Sequence, residues 1–91
     1  MATRDTYEDE RAAFLKSFGD NLKRIRTAKH LSQETLSYMT RLHRTEIGKL
    51  EQGIVEPRLT TAMILADALG VTMDQLILGV KVPRERRPAP K

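Results

Sequence analysis

Residues 31–53 read LSQETLSYMTRLHRTEIGKLEQG. Two short helical patterns stand in this stretch with almost nothing between them. Ser32 is a natural N-cap, and Leu36 and Met39 supply an apolar face behind it, so a helix is predicted to run to about Thr40. Arg41, Leu42 and His43 make only a brief link. A further helix follows from about Arg44 to Gln52, with Ile47 and Leu50 as its apolar pair and Gly53 as a suitable residue just past its end.

Helical spacing continues on both sides of this stretch. Upstream, Phe14, Phe18, Leu22 and Ile25 step by four, four and three, which builds one buried stripe. This predicts a helix over 13–29, with residues 1–12 as an N-terminal arm or an extension of it. Asp5 with Glu8 has capping-box spacing, and Glu8, Asp9 and Glu10 suit the positive end of a helix dipole. Gly19 interrupts the stripe and is expected to weaken it. Downstream, a loop from Ile54 to Arg58 contains Pro57. A fourth helix is predicted from about Leu59 to Leu69, with Met63, Leu65, Ala66 and Leu69 inward and Gly70 as its stop. Thr72 then caps a fifth, Met73 to Leu78, with Gln75 at capping-box spacing and Gly79 at its end. Only Val80-Lys81-Val82 alternates with period two. The tail, residues 80–91, reads VKVPRERRPAPK; it is basic and proline-rich and is expected to be disordered. The predicted fold is all-α: a compact five-helix bundle over residues 13–79, containing a helix-turn-helix.

A chain of 91 residues holds one domain. It has no cysteine, which excludes a disulfide staple, a Cys zinc site and a thiol nucleophile. His30 and His43 are lone histidines without further ligands nearby in sequence, so no metal and no cofactor is expected. No nucleophile–base pair or phosphate loop is present, and an enzyme is not expected. No stretch approaches the roughly 18 apolar residues of a membrane span, and the first ten residues lack the apolar run of a signal peptide. The expected location is cytoplasmic, with no membrane partner.

Charge is distributed unevenly. Residues 1–10 carry −3, residues 11–58 carry +5, residues 59–80 carry −2 and residues 81–91 carry +4. A basic part joined to an apolar, weakly acidic part points to one polyanion-facing surface and one protein-facing surface. Lys23, Arg24, Lys29 and Arg41 add electrostatic reach.

From Phe18 to Gly79 the chain resembles the lambda-repressor-like, Cro/cI or XRE-type helix-turn-helix family. The resemblance rests on FGDNLKRIR, LSQETLS, LHRTEIGKLEQG and EPRLTTAMILADALGVTMDQLI, in that order. The Ser-Gln-Glu-x-Leu opening, the Leu-Glu-x-Gly close and the Ala-Leu-Gly-Val-x-x-x-x-Leu ending all stand at the family's spacing. The Leu-His-Arg-Thr segment is also similar to that of restriction–modification controller proteins. The resemblance implies a sequence-specific transcriptional regulator that binds double-stranded DNA. It implies that Arg44, Thr45 and Lys49 contact bases, that Gln33 contacts a phosphate and braces the recognition helix, and that Arg26 and Glu51 form a partly buried ion pair. Arg44 suits a bidentate guanine contact. His43, Arg41 and Arg58 are further candidate phosphate contacts. Ser37 stands where the family usually has Ala. Gly48 lies inside the recognition helix, at a cost of about 1 kcal/mol relative to Ala. Glu46 brings a negative charge near the DNA face.

Leu78, Val80, Ile54 and Val55 are the apolar residues hardest to bury in a monomer. They are the candidate face of a homodimer, because one recognition helix reads few base pairs and dimers bind two-fold symmetric half-sites about one DNA turn apart. RNA polymerase or a partner protein is a further candidate contact. The rival reading is an antitoxin-like protein that grips a partner toxin and autoregulates its own operon; twelve tail residues are few for a toxin-wrapping segment.

Overall fold

The computed structural model describes residues 6–83; residues 1–5 and 84–91 lie outside the described residues. Five helices follow in order: α1 Thr6–Ala28, α2 Gln33–Thr40, α3 Arg44–Glu51, α4 Leu59–Leu69 and α5 Met73–Leu76. No strand occurs among the described residues, so the alternation at Val80-Lys81-Val82 does not become one. The expectation for Asp5 as a cap falls outside the described residues, as does all of the tail expected over 80–91 beyond residue 83; within 80–83, Val80 packs against the core. Residues 6–12 extend α1, with Glu8 and Asp9 in its first turn where a helix dipole favours negative charge.

The core is built from Phe18, Leu22 and Ile25 of α1, Leu36 of α2, Ile47 and Leu50 of α3, Ala62, Leu65, Ala66 and Leu69 of α4, and Leu76 of α5. Long α1 packs against α3 and α5, while α2 packs against α3 and α4. Three expected core positions differ. Met63 is 53% exposed, and Thr61 and Ala62 occupy the inward stripe of α4 instead. Met39 is also exposed; Thr40 is buried in its place, because its hydroxyl donates back to the Leu36 carbonyl at 2.7 Å and needs no water. Phe14 is only half-buried, and its neighbour Leu15 is buried.

Gly19 is not a weak point in α1. A Cβ built there would lie 2.4 Å from the Leu50 carbonyl oxygen and 2.6 Å from that of Glu51. The missing side chain is what lets α1 touch the backbone at the end of α3. The same end of α3 is closed by Gly53, in the left-handed region at φ 74°. The Gly53 amide donates to Leu50 O, and the Ile54 amide to Lys49 O at 2.9 Å, which completes a Schellman motif.

The fifth helix is shorter than its spacing predicts. The Thr72–Gln75 capping box forms as read, but the helix stops at Leu76. Asn21 on α1 explains the stop: its Nδ2 donates to the carbonyls of Leu76 at 3.1 Å and Leu78 at 2.8 Å, drawing the chain out of helical register. Beyond it Val80 packs against the core, as Val55 does ahead of α4. Neither is the unburied apolar residue that the sequence implied.

Candidate nucleic-acid interface

The link between α2 and α3 is held by small polar side chains. Arg41 takes a left-handed conformation at φ 63°, and its amide donates to Ser37 O to close α2. The Ser37 hydroxyl donates to the Leu42 carbonyl, and the Leu42 amide donates to Thr40 Oγ1 at 3.2 Å. Ser37 is thus more than a small packing residue: its hydroxyl fixes the turn, and with it the angle between the helices. Leu42 leans on the core beneath.

Behind the turn lies a buried polar network. Arg26 Nε donates to Glu51 Oε2 at 2.6 Å and Nη2 to Oε1 at 2.9 Å, a bidentate pair in which the residues are 7% and 6% exposed. Arg26 Nη1 donates to the Leu31 carbonyl at 2.7 Å, and Gln33 Nε2 donates to Glu51 Oε1 at 3.0 Å. The hydrogen-bonded Glu51 carboxylate raises the Arg26 pKa above its ordinary value; burial works the other way, and the charge of Glu51 adds to the rise. Every buried side-chain polar atom among the described residues has a partner. The chain of contacts joins α1, the start of α2 and the end of α3, so the outward edge of α3 is seated on α1 through Glu51 and on α2 through Gln33.

That edge carries the candidate base-reading residues. Gln33, Arg44, Thr45, Gly48, Lys49, Gln52 and Ile54 line one shallow depression. A Cβ on Gly48 would lie 3.7 Å from Gln33 Oε1, an ordinary contact, so the approach of α2 and α3 at the floor of the depression does not require a glycine there. Arg44, Thr45 and Lys49 are exposed, whereas Glu46 is partly buried at the side. A second depression, beside the turn, is lined by Ser37, Tyr38, Arg41, Leu42 and His43. His43 occupies the N-cap of α3 without a side-chain cap bond, and α3's first-turn amides are left without that partner. Arg58 occupies the N-cap of α4 in the same manner and is exposed.

Of the sequence-derived site residues, Gln33, Arg44, Thr45 and Lys49 are brought together, and Arg41 and His43 share the neighbouring depression; Arg58 lines neither. Gln52, and Tyr38 at 88% exposure, join them without having been singled out in sequence. The aromatic ring of Tyr38 directly after Ser37 was the available signal, since a large aromatic on a helix face so close to the turn has no core to enter. The four candidate interface residues do not gather. Ile54 opens onto the depression beside α3, Leu78 lines a different groove with Arg24 and Lys29, and Val55 and Val80 lean inward.

A family model described as Helix-turn-helix matches residues 22–76. An SPbeta prophage-derived HTH-type transcriptional regulator of Bacillus subtilis is 40% identical over 62 residues, 68% of this chain and 57% of that protein. Control protein C.SmaI of Serratia marcescens is 38% identical over 58 residues, 64% of this chain and 69% of its own. The crystal structure of the restriction-modification controller protein C.AhdI from Aeromonas hydrophila superposes with a TM-score of 0.67 at 40% identity, covering 68% of this chain and 94% of that one. The match therefore spans little more than half the length of the Bacillus relative.

Proposed function

Because the chain belongs to the XRE-type helix-turn-helix family, we propose that it regulates transcription by binding a two-fold symmetric operator as a homodimer. The observation that carries this reading is the gathering of Arg44, Thr45 and Lys49 on the outer edge of α3 around one depression with Gln33 of α2, which bonds Glu51. Arg44 and Lys49 offer charged donors to base edges in a major groove; Thr45 offers a hydroxyl. Gln33 sits at the start of α2, where its amide and the helix's first N–H groups face a phosphate, while its Nε2 keeps its bond to Glu51. Arg41, His43 and Arg58 add backbone contacts around the rim. No covalent chemistry is required: occupancy of the operator blocks a promoter or presents the protein to RNA polymerase.

Dimerisation is supported by apolar side chains that the fold leaves outside. Leu59, Met63 and Ile64 are exposed on α4, and Ile77 and Leu78 at the end of α5. A small domain rarely keeps such a set open to water without a partner surface. The test is selection of bound duplexes from a random pool by the purified chain. A two-fold symmetric motif with half-sites about one helical turn apart is expected. Enrichment of no motif would overturn sequence-specific binding, and enrichment of a single asymmetric half-site would overturn the dimer.

A further inference from the structure

The chain has five glycines, and the fold itself accounts for four of them. Gly19 lies where α1 meets the backbone at the end of α3, and Gly53, Gly70 and Gly79 take positive φ. Gly48 is the exception. It sits inside α3 with no positive φ, in a helix interior where glycine is among the least favourable residues. A Cβ there would meet nothing closer than Gln33 Oε1 at 3.7 Å and Nε2 at 4.0 Å, both ordinary contacts. Neither dihedral angle nor packing within the chain calls for the missing side chain.

Gly48 also holds the centre of the exposed arc of α3. At about 100° per residue, Arg44 lies about 40° to one side of it, and Gln52 and Thr45 about 40° and 60° to the other. All four line the same depression, with Ile54 beside them. Charged and amide side chains surround a floor that is bare backbone. The Gly48 carbonyl is engaged, accepting from the Gln52 amide at 3.0 Å. Gln33 does not swing across to cover the floor, because its Nε2 is tied to Glu51 at 3.0 Å. What the centre of the arc offers is the Gly48 Cα, with Thr45 and the 60% exposed Ile54 at its sides.

A polar rim around a small apolar floor is complementary to the one apolar group that unmodified base pairs present in the major groove, the thymine C5-methyl. Building on the operator binding proposed above, we propose that Gly48 is a specificity-determining residue: its bare Cα lets a base-pair edge approach the α3 backbone and receives a thymine methyl in each half-site. Arg44 and Lys49 supply polar contacts around it. The helix is weakened at this position, and the compensating gain arises only when DNA is bound.

Selection of duplexes by the native chain gives the operator. Each thymine of a half-site, with its symmetry mate, is then replaced by uracil, which removes the methyl and leaves every hydrogen-bonding group in place. Losing one buried methyl contact corresponds to about fourfold in Kd, so at least one thymine should show a penalty of about that size per half-site. In Gly48→Ala the urea midpoint should rise, binding to the thymine operator should weaken by at least about fourfold per half-site, and the uracil penalty at one position should vanish. Three binding results overturn the proposal: no uracil substitution affects the native chain, Gly48→Ala binds the thymine operator as tightly as the native chain, or the variant keeps every uracil penalty. A fall in the urea midpoint overturns it as well, because the fold would then need the glycine. If the native chain enriches no motif, the operator reading fails and this proposal falls with it; a motif that Gly48→Ala binds unchanged refutes the role of Gly48 alone.

Discussion

Removing the Glu51 side chain is the most severe single change the structure identifies away from the apolar core. In Glu51→Ala, Arg26 loses both bonds to the carboxylate and keeps only the Leu31 carbonyl, while Gln33 loses its acceptor. The guanidinium stays charged, since its pKa is raised and not lowered, and its buried position gives water little access. Breaking a buried pair from one side costs about 3–5 kcal/mol. Gln33 is only partly buried and can turn to solvent, so it adds little. Small domains have about 5–15 kcal/mol of total stability, and one of this size sits toward the lower end. A loss of about 3 kcal/mol corresponds to roughly 12–24 °C in Tm. Urea unfolding followed by far-ultraviolet circular dichroism should show the midpoint fall with an unchanged m-value. Arg26→Met with Glu51→Leu removes both charges and should recover much of the loss. Two results would refute the reasoning: a Glu51→Ala cost under about 1 kcal/mol, or losses that simply add in the double variant.

Alanine at the two helical glycines should act in opposite directions. Gly19→Ala drives a methyl into the Leu50 and Glu51 carbonyls and should cost about 1–3 kcal/mol, whereas Gly48→Ala meets only ordinary contact with Gln33 and should gain up to about 1 kcal/mol in the same urea titration. Arg44→Ala should weaken operator binding by about 1–3 kcal/mol and relax preference at one base pair per half-site, measured against single-base variants; equal weakening on every sequence would reduce Arg44 to a charge contact. Gln33→Ala should weaken all sequences by a common factor and barely alter the salt slope, because the side chain is neutral. Leu78→Asp, at a side chain 69% exposed, should shift the proposed dimer toward monomer in analytical ultracentrifugation with helicity retained; an unchanged dimer removes Leu78 from the interface.

Much of the architecture was legible in residue order. Local rules settle caps and stops: Ser32, Thr72, Gly53 and Gly70 each act within a few residues of themselves, and the helix ends they mark are the ends observed. Periodicity located the stripes of α1 and α3 for the same reason, since side chains one turn apart share a face whatever the helix packs on. The placement of Arg44, Thr45 and Lys49 on one exposed edge follows from their spacing against Ile47 and Leu50.

Tertiary structure decided what depends on a neighbouring element. Gly19 reads as a defect in an isolated helix and becomes a point of closest approach only when the end of α3 lies across it. Met39 and Met63 are apolar enough for a core, but the inward arc of each helix is set by its neighbours, and Thr40 and Thr61 fill it instead. The early end of α5 depends on Asn21, 55 positions before the Leu76 carbonyl it holds. The bracing of α3 joins Arg26, Gln33 and Glu51, whose geometry exists only once three helices have met. Sequence sets local conformation because backbone and capping energies reach about one turn. Which apolar face is buried, and which glycine is indispensable, are properties of surfaces formed by residues far apart in the chain.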